Sequence, residues 1–290
     1  MDLEKACLIN CQLFGKHAAQ FESSIVPLWQ GVYDSLVEKA RIAQGSSVLD
    51  VGTGTGEVAL RLSRLVGPKG RVLAADVQPE MLRIAKTKAR DSGGNIEFKE
   101  TSMETLDIPD DSFDSVVGNY SLCCCIDYEA TLAGCLRVLK PGGRLTYNHG
   151  GPSDPLHFQI MIKIFEGYKT ASPSKRLQDI REAELLQFDA VDKYREPSVT
   201  QEAMRGLGYE RVEATLTQRV LNYEDVGKFV DEWINFDWAA EVEEISPEAV
   251  KRFRGEAISA LSPLWKGPGF RVVSDMVFFT GQKPQDSAQI

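Results

Sequence analysis

Short apolar runs alternate with amphipathic segments along residues 45–150, and this alternation predicts strands and helices in turn. Helical spacing of apolar residues begins after positions 56, 78 and 127. The predicted strands lie at residues 48–51, 71–76, 95–99, 113–118 and 143–149. Because strands that alternate with helices form parallel sheets, we predict an α/β fold with a doubly wound, Rossmann-like sheet.

The flanking segments are predicted to be largely helical. Residues 1–44 carry apolar side chains at spacings of three and four, and Gly45 is the predicted C-cap of the last helix there. Further helices are predicted at residues 156–168, 175–188, 200–207 and within 223–264. Strands at 211–220 and 270–281 bring the predicted sheet to seven, mostly parallel strands with helical cap insertions.

The most informative segment is residues 47–56, which read SVLDVGTGTG. A buried strand leads into Gly52, Gly54 and Gly56, and a helical pattern follows directly. Glycine lets the backbone turn sharply and lets a ligand approach the main chain at a helix N-terminus. The spacing differs from the Gly-x-Gly-x-x-Gly dinucleotide motif, so the loop alone is also compatible with a simple tight turn. Asp76 ends the next strand, 20 residues beyond Gly56, where a carboxylate can accept from both ribose hydroxyls.

Two further motifs lie farther along the chain: DDSFDSVV at residues 110–117 and LRVLKPGG at residues 136–143. With the glycine loop and Asp76, they stand in the order and spacing of a known family. Over residues 45–150 the chain resembles class I S-adenosylmethionine-dependent methyltransferases, in the branch of the ubiquinone and menaquinone biosynthesis C-methyltransferases. The resemblance implies S-adenosyl-L-methionine as cofactor and S-adenosyl-L-homocysteine as its product. A nicotinamide oxidoreductase does not fit the glycine spacing or the Leu-Lys-Pro-Gly-Gly motif.

The same resemblance assigns roles to individual positions. Main-chain groups of the glycine loop would lie beside the methionine part and the ribose, Asp50 would face the cofactor amino group, and Asp76 would bind the ribose hydroxyls. The predicted cofactor-binding residues are Phe21, Asp50, Gly52, Thr53, Gly54, Gly56, Asp76, Val77, Met81, Ser102, Met103, Asn119 and Ser121. Three positions depart from the family. Phe21 stands where Tyr is usual, Ser102 replaces the acid that binds the adenine amino group, and residues 123–125 are cysteines where relatives often have histidines.

These elements predict a single catalytic domain, residues 1–290, with three parts. The Rossmann-like core comprises residues 45–150, 198–221 and 270–284, and residues 1–44 form a helical lid. Residues 151–197 and 222–269 are helical inserts. We expect the inserts to cap the acceptor site, although decoration of the core or a dimer surface also fits the sequence.

Charge and composition narrow the class of partner. The net charge of −9 argues against a nucleic-acid substrate, because phosphate contacts require a basic surface. The sequence contains no apolar run of about 18 residues, so no membrane span is predicted. The N-terminus lacks the pattern of a signal peptide, so we expect a cytoplasmic protein with reduced cysteines. The oligomeric state stays open, a homo-oligomer included.

The predicted reaction is methyl transfer to a small, partly apolar molecule at O, C or N. His149, at the end of the fifth strand, is the candidate general base because its unperturbed pKa suits proton removal. A structural role for His149 is the alternative. Two other functions remain open: thiol or metalloid methylation by converging cysteines, and a non-catalytic protein that binds S-adenosylmethionine and holds a partner.

Overall fold

The computed structural model describes residues 1–92, 95–125 and 127–285, and within them seven strands form one sheet. The strands are β1 (Ser47–Val51), β2 (Arg71–Asp76), β3 (Ile96–Glu100), β4 (Phe113–Asn119), β5 (Leu139–Gly150), β6 (Glu210–Tyr223) and β7 (Phe270–Gln282). Their order is β3-β2-β1-β4-β5-β7-β6. Strands β1 to β5 pair in parallel, and β7 runs antiparallel to both of its neighbours. The prediction of a mostly parallel, seven-stranded, doubly wound sheet is therefore confirmed.

Helices cover both faces of the sheet and build the additional layer above it. They are α1 (Leu3–Lys16), α2 (Ala18–Gln20), α3 (Gln30–Ala40), α4 (Glu57–Val66), α5 (Pro79–Ser92), α6 (Tyr128–Val138), α7 (Leu156–Glu166), α8 (Lys175–Val191), α9 (Pro197–Gly206), α10 (Val226–Glu232), α11 (Ala239–Val242) and α12 (Pro247–Leu261). Two π-helical turns occur at Phe21–Ile25 and Trp233–Asp237. None of the helices in the described residues is long and apolar enough to cross a membrane.

The central strands are buried on both faces because successive side chains point to opposite sides of the sheet. Val48 and Val117 belong to a core that packs against α3 and α4. Leu49 and Val116 belong to the opposite core, which includes residues of α6 and α9. This double burial explains the near-continuous apolar runs in the sequence, which are typical of parallel strands.

The predicted C-cap at Gly45 is wrong. Helix α3 ends at Ala40, and Arg41 takes the left-handed C-cap conformation with φ 51° and donates its N–H to the Glu38 carbonyl. Gly45 also has a positive φ, of 85°, but its amide donates to the Val66 carbonyl at 2.8 Å. Gly45 therefore turns the chain into β1 instead of ending the helix.

A third core lies above the sheet and is formed by α7, α10 and α12. Phe165, Phe229 and Phe253 are fully or almost fully buried in it. The far ends of β6 and β7 take part, because Leu221 and Val272 belong to the same core. Helices α7, α10 and α12 of the two inserts therefore rest on an extension of the antiparallel strands β6 and β7.

Candidate cofactor and acceptor site

The order of the strands reverses between β1 and β4, and the candidate site lies at their carboxyl ends, where doubly wound sheets bind ligands. The glycine loop follows β1 and passes close to Ser121, which follows β4. A Cβ atom at Gly52 would lie 2.3 Å from the Ser121 Cβ, and Gly52 has a φ of 67°. Only glycine fits at this position, because any side chain would collide there and strain the backbone.

Asp76, at the end of β2, holds the glycine loop in place through hydrogen bonds. Its Oδ2 accepts from the Gly54 N–H at 2.8 Å, and its Oδ1 accepts from the Gln78 N–H at 2.9 Å. Burial raises the pKa of Asp76 above its usual value. Each carboxylate oxygen can accept more than one hydrogen bond, so a pair of ligand hydroxyls can still bind to Asp76.

Asp50 and Ser121 offer acceptor and donor groups that the protein itself leaves unused. Asp50 is 1% exposed, its Oδ2 accepts from the Thr53 hydroxyl at 2.6 Å, and burial raises its pKa to about 7. Asp50 Oδ1 and Ser121 Oγ are buried without a hydrogen-bond partner among the described residues. Buried polar atoms normally have partners, so these two atoms indicate that the loop is shaped for a polar ligand.

One cavity of about 820 Å³ collects most of the predicted cofactor-binding residues. Its wall includes Phe21, Gly52, Gly54, Asp76, Val77, Met81, Ser102, Met103, Asn119 and Ser121. Asp50, Thr53 and Gly56 lie outside the cavity lining. This part of the wall offers hydrogen-bonding and apolar surface to groups of the size of a ribose and an adenine. The residues present therefore fit S-adenosylmethionine.

The third strand's end carries a residue that the sequence analysis missed. Ser102 lacks a carboxylate, but Glu104 also lines the cavity, and its carboxylate accepts a hydrogen bond from the Ser102 hydroxyl. The Glu104 N–H in turn donates to Ser102 Oγ at 3.2 Å. The sequence does contain an acid two residues beyond the expected position. The loop after β3 can bring either residue to the cavity wall.

The opposite half of the same cavity is lined by aromatic side chains from the cap and the lid. Those rings belong to Trp29, Tyr33, Phe158, Tyr223, Phe229, Trp233 and Phe236. The charged groups there are Arg219, Glu232 and Asp237. Phe21 and Phe236 connect lid and cap across the cavity, with ring centroids 5.8 Å apart.

His149 does not line this cavity. It lines an adjoining cavity of about 480 Å³ between α1 and α8, and the two cavities share Phe14, Tyr120, Cys123, Phe236 and Asp237. The His149 Nδ1–H donates to the Gly150 carbonyl at 2.8 Å, which leaves Nε2 to accept from the Tyr128 hydroxyl at 3.2 Å. Burial lowers the pKa of His149 to about 4. A neutral ring of such low basicity is a weak proton acceptor, and its role as general base stays a prediction.

Four cysteines converge on the larger cavity. Cys7 and Cys11 from α1 lie on its wall with Cys123 and Cys124, and the Cys7 thiol donates to the Cys124 carbonyl at 3.6 Å. Burial raises the pKa of Cys7 and of Cys11 to about 12, so both remain thiols at neutral pH. In the part of the chain described, no three His, Cys, Asp or Glu side chains are placed to hold a metal ion. Buried cysteines also serve as small apolar lining, and thiol or metalloid methylation by these cysteines stays a prediction.

Known proteins share both the sequence and the fold. A methyltransferase-domain family model matches residues 48–143. The ubiquinone/menaquinone biosynthesis C-methyltransferase of Shewanella woodyi is 33% identical over 186 residues, which span 62% of this chain and 72% of that protein. The YcgJ protein of Bacillus subtilis has a TM-score of 0.56 at 18% identity, with 87% of this chain and 98% of that chain covered.

A second solved structure contains the cofactor. Phosphoethanolamine N-methyltransferase 2 of Haemonchus contortus, in complex with S-adenosyl-L-methionine, has a TM-score of 0.52 at 17% identity, with 88% of this chain and 53% of that chain covered. At these identities the two solved structures show the fold alone, whereas the Shewanella enzyme shows the family. The chain therefore belongs to the class I S-adenosylmethionine-dependent methyltransferases, and it resembles the ubiquinone/menaquinone biosynthesis enzymes among them.

Proposed function

We propose that this methyltransferase acts on a small, partly apolar molecule held in the aromatic half of the larger cavity. The observation that carries the proposal is the continuity of that half with the glycine loop. Gly52 and Asp76 line the same cavity as Phe229 and Trp233. Small-molecule sites are typically apolar clefts of roughly 300–1,000 Å³ with a few polar groups, and this cavity fits that description.

The cofactor half assigns a role to each group. Asp76 would bind the ribose hydroxyls, main-chain groups of the glycine loop and Ser121 would bind the methionyl end, and Val77 and Met81 would pack on the adenine. We infer that Glu104 supplies the carboxylate that position 102 lacks. When bound, the sulfonium supplies an activated methyl group, so the protein's task is to align the acceptor and exclude water.

The lid and the cap complete the proposed single domain. Residues 1–44 would cover the cofactor, and the inserts 151–197 and 222–269 would enclose the acceptor above the core segments 45–150, 198–221 and 270–284. The contact between Phe21 and Phe236 supports this division, because it joins the lid to the second insert directly over the cavity.

A transfer assay with tritium in the cofactor methyl group tests the acceptor class. We expect label in an organic-extractable product below about 1 kDa when the enzyme is given a small-molecule extract. Trp233→Ala should lose most of this label but keep its affinity for S-adenosylhomocysteine, whereas Leu65→Ala, on the exposed side of α4, should keep both. Label confined to protein or nucleic acid would overturn the proposal.

A further inference from the structure

Two carboxylates in the acceptor half form no ion pair within the described residues. Glu232 ends α10 and accepts from the Tyr223 hydroxyl at 2.8 Å. Asp237 ends the π-helical turn that follows, and it lines both cavities. Within the described residues neither carboxylate forms an ion pair, but, against the larger effect of burial, the charge of Arg219 acts on both and lowers their pKa values.

Two carboxylates held close together in a partly desolvated cavity are costly unless a bound group compensates them. Asp237 has an exposed surface and lines both cavities, and partial desolvation by the surrounding protein raises its pKa to about 6. Burial and the charge of Asp237 likewise raise the pKa of Glu232 to about 7. Partly desolvated carboxylates are stabilised by a counter-charge or by hydrogen-bond donors, so the cavity favours a ligand that supplies them.

The aromatic wall favours the same kind of ligand. Trp233 and Phe236 separate the two acids along the chain and line the cavity with them. Aromatic faces attract cations, most strongly where water is excluded. Tyr120 adds a buried hydroxyl on this wall that lacks a hydrogen-bond partner in the described part of the chain. This hydroxyl is independent evidence for a bound polar group.

Arg219 is the positive group of this cavity, and it is already engaged. Its guanidinium carbon lies 4.7 Å from the ring centroid of Trp29 and 5.4 Å from that of Tyr120. Its Nε donates to the Ser274 hydroxyl at 3.0 Å. Arg219 is thus held over two rings and forms no ion pair with Glu232 or Asp237 within the described structure.

We propose that the acceptor is an amine that binds as an ammonium ion, with Asp237 and Glu232 as its anchors and proton acceptors. This rests on the proposed function and narrows its acceptor from O, C or N to nitrogen. The ammonium nitrogen gives one proton to a carboxylate oxygen, which frees its lone pair. The N–C bond then forms to the methyl carbon as the C–S bond breaks, and the electron pair of that bond stays on sulfur.

Binding to the protein saturated with S-adenosylhomocysteine tests the proposal by calorimetry. The probes are 2-phenylethylamine and tryptamine, their neutral partners 2-phenylethanol and tryptophol, and the anion 3-phenylpropionate. We expect at least one amine to bind about tenfold or more tightly than its alcohol. Asp237→Asn should lower the amine affinity roughly 10- to 100-fold, the range for a hydrogen bond to a charged group, and leave the alcohol affinity unchanged.

Asp231→Asn is the matched control, because Asp231 precedes Glu232 on α10 and pairs with Arg254 outside the cavity. It should leave amine affinity unchanged. The proposal is wrong if no amine binds better than its alcohol, or if the anion binds best and Arg219→Gln abolishes that binding. It is also wrong if Asp237→Asn changes the ratio of S-adenosylmethionine to S-adenosylhomocysteine affinity instead, since the carboxylate would then face the sulfonium. None of these results would remove the small-molecule proposal, which depends on where the tritium label appears.

Discussion

The Asp76 carboxylate has two roles: it holds the glycine loop in place, and it lines the cavity. Its two oxygens hold the N–H groups of Gly54 and Gln78, so the glycine loop and the start of α5 are fixed relative to β2. The same side chain lines the cavity. A single substitution there removes both a proposed ligand contact and the support of the loop, and the two effects have to be separated by choice of variant.

Asp76→Ala is expected to weaken S-adenosylhomocysteine binding by roughly 1–3 kcal/mol, the scale of hydrogen bonds to a charged group. Asp76→Asn keeps one acceptor oxygen for the loop and should lose less. Titration calorimetry measures both. Asp107→Ala is the control, because the Asp107 side chain is 92% exposed. Normal affinity in a folded Asp76→Ala protein would show that Asp76 is not the ribose ligand.

The lowered pKa of His149 predicts the direction in which the free energy of unfolding changes with pH. Burial lowers its pKa to about 4, so the folded protein keeps the ring neutral where the unfolded chain protonates it, below about pH 6.5. The unfolded state therefore binds more protons between about pH 6.5 and pH 4, and this contribution to stability is lost as the pH falls through that window. The contribution is fully present above about pH 6.5.

Urea unfolding of the wild type and His149→Gln at about pH 7 and pH 4.5 measures this contribution. The wild type should lose on the order of 2 kcal/mol relative to the variant on acidification. His157, whose pKa is also lowered to about 4, and Asp50, whose pKa is raised, are common to both proteins and cancel in the difference. Parallel pH dependences for the two proteins would show that the ring titrates normally.

At the scale of elements, the sequence predicts the features that depend on residues close together in the chain, such as helix caps. Asp127 caps α6, with its carboxylate accepting from the Ala130 N–H at 2.9 Å, which is the role that an aspartate directly before a helical pattern predicts. The strand after it was predicted too short, because β5 starts at Leu139 and includes the Lys-Pro-Gly-Gly segment that reads as a turn. Pairing of Phe113 with Leu139 extends the strand, and pairing across the sheet is not visible in a local pattern.

The acceptor half of the site was beyond sequence reasoning for the same reason. Glu232 and Asp237 lie within a helical pattern, and nothing local distinguishes them from a solvated acidic face. They meet the glycine loop because β6 and β7 carry α10 back over the sheet, a contact between segments far apart in the chain. Glu104 was overlooked because the resemblance directed attention to position 102.

Helix α1 should respond to ligand binding as one element. Cys11 and Phe14 line the cavity, and Asn10 holds the helix to α8 by donating to the Ala183 carbonyl at 3.3 Å. A ligand that fills the cavity adds contacts to this face, so local opening of the helix becomes less frequent. We expect amides of α1 to exchange more slowly with S-adenosylhomocysteine bound, as measured by hydrogen–deuterium exchange.

Helix α9 is the internal reference for that experiment. Thr200 and Met204 are buried against the sheet, and no residue of α9 lines the larger cavity. Its exchange should not change. Equal slowing in α1 and α9 would indicate a global gain in stability, and unchanged exchange in α1 would remove its role as a lid.

For the whole molecule, the hairpin of β6 and β7 joins the sheet to the cap. Its register runs from Glu213 opposite Thr280 in the core to Tyr223 opposite Phe270 in the cap. The cap has its own hydrophobic core, yet two of the strands beneath it are also the edge of the central sheet. Loss of the cap's core would therefore expose the end of the hairpin, and we expect cap and sheet to unfold together.

Phe253→Ala tests this coupling. Phe253 is fully buried in the cap, with ring centroids 5.0 Å from Phe165 and 5.7 Å from Trp238. Truncation should cost about 3–5 kcal/mol through lost burial and a residual cavity. Leu264→Ala, at a side chain 44% exposed, should change stability by no more than about 0.5 kcal/mol.

Two probes distinguish one unfolding unit from two. Trp233, Trp238 and Trp265 lie in the second insert, so tryptophan emission reports mainly on the cap, whereas far-ultraviolet circular dichroism reports on every helix and strand. In a cooperative unit the two urea transitions coincide, in the wild type and in Phe253→Ala alike. Because the hairpin ladder is shared, the variant should shift both transitions by the same amount. An emission transition that precedes the dichroism transition would instead make the cap a separate unit, able to open over the acceptor while the sheet stays folded.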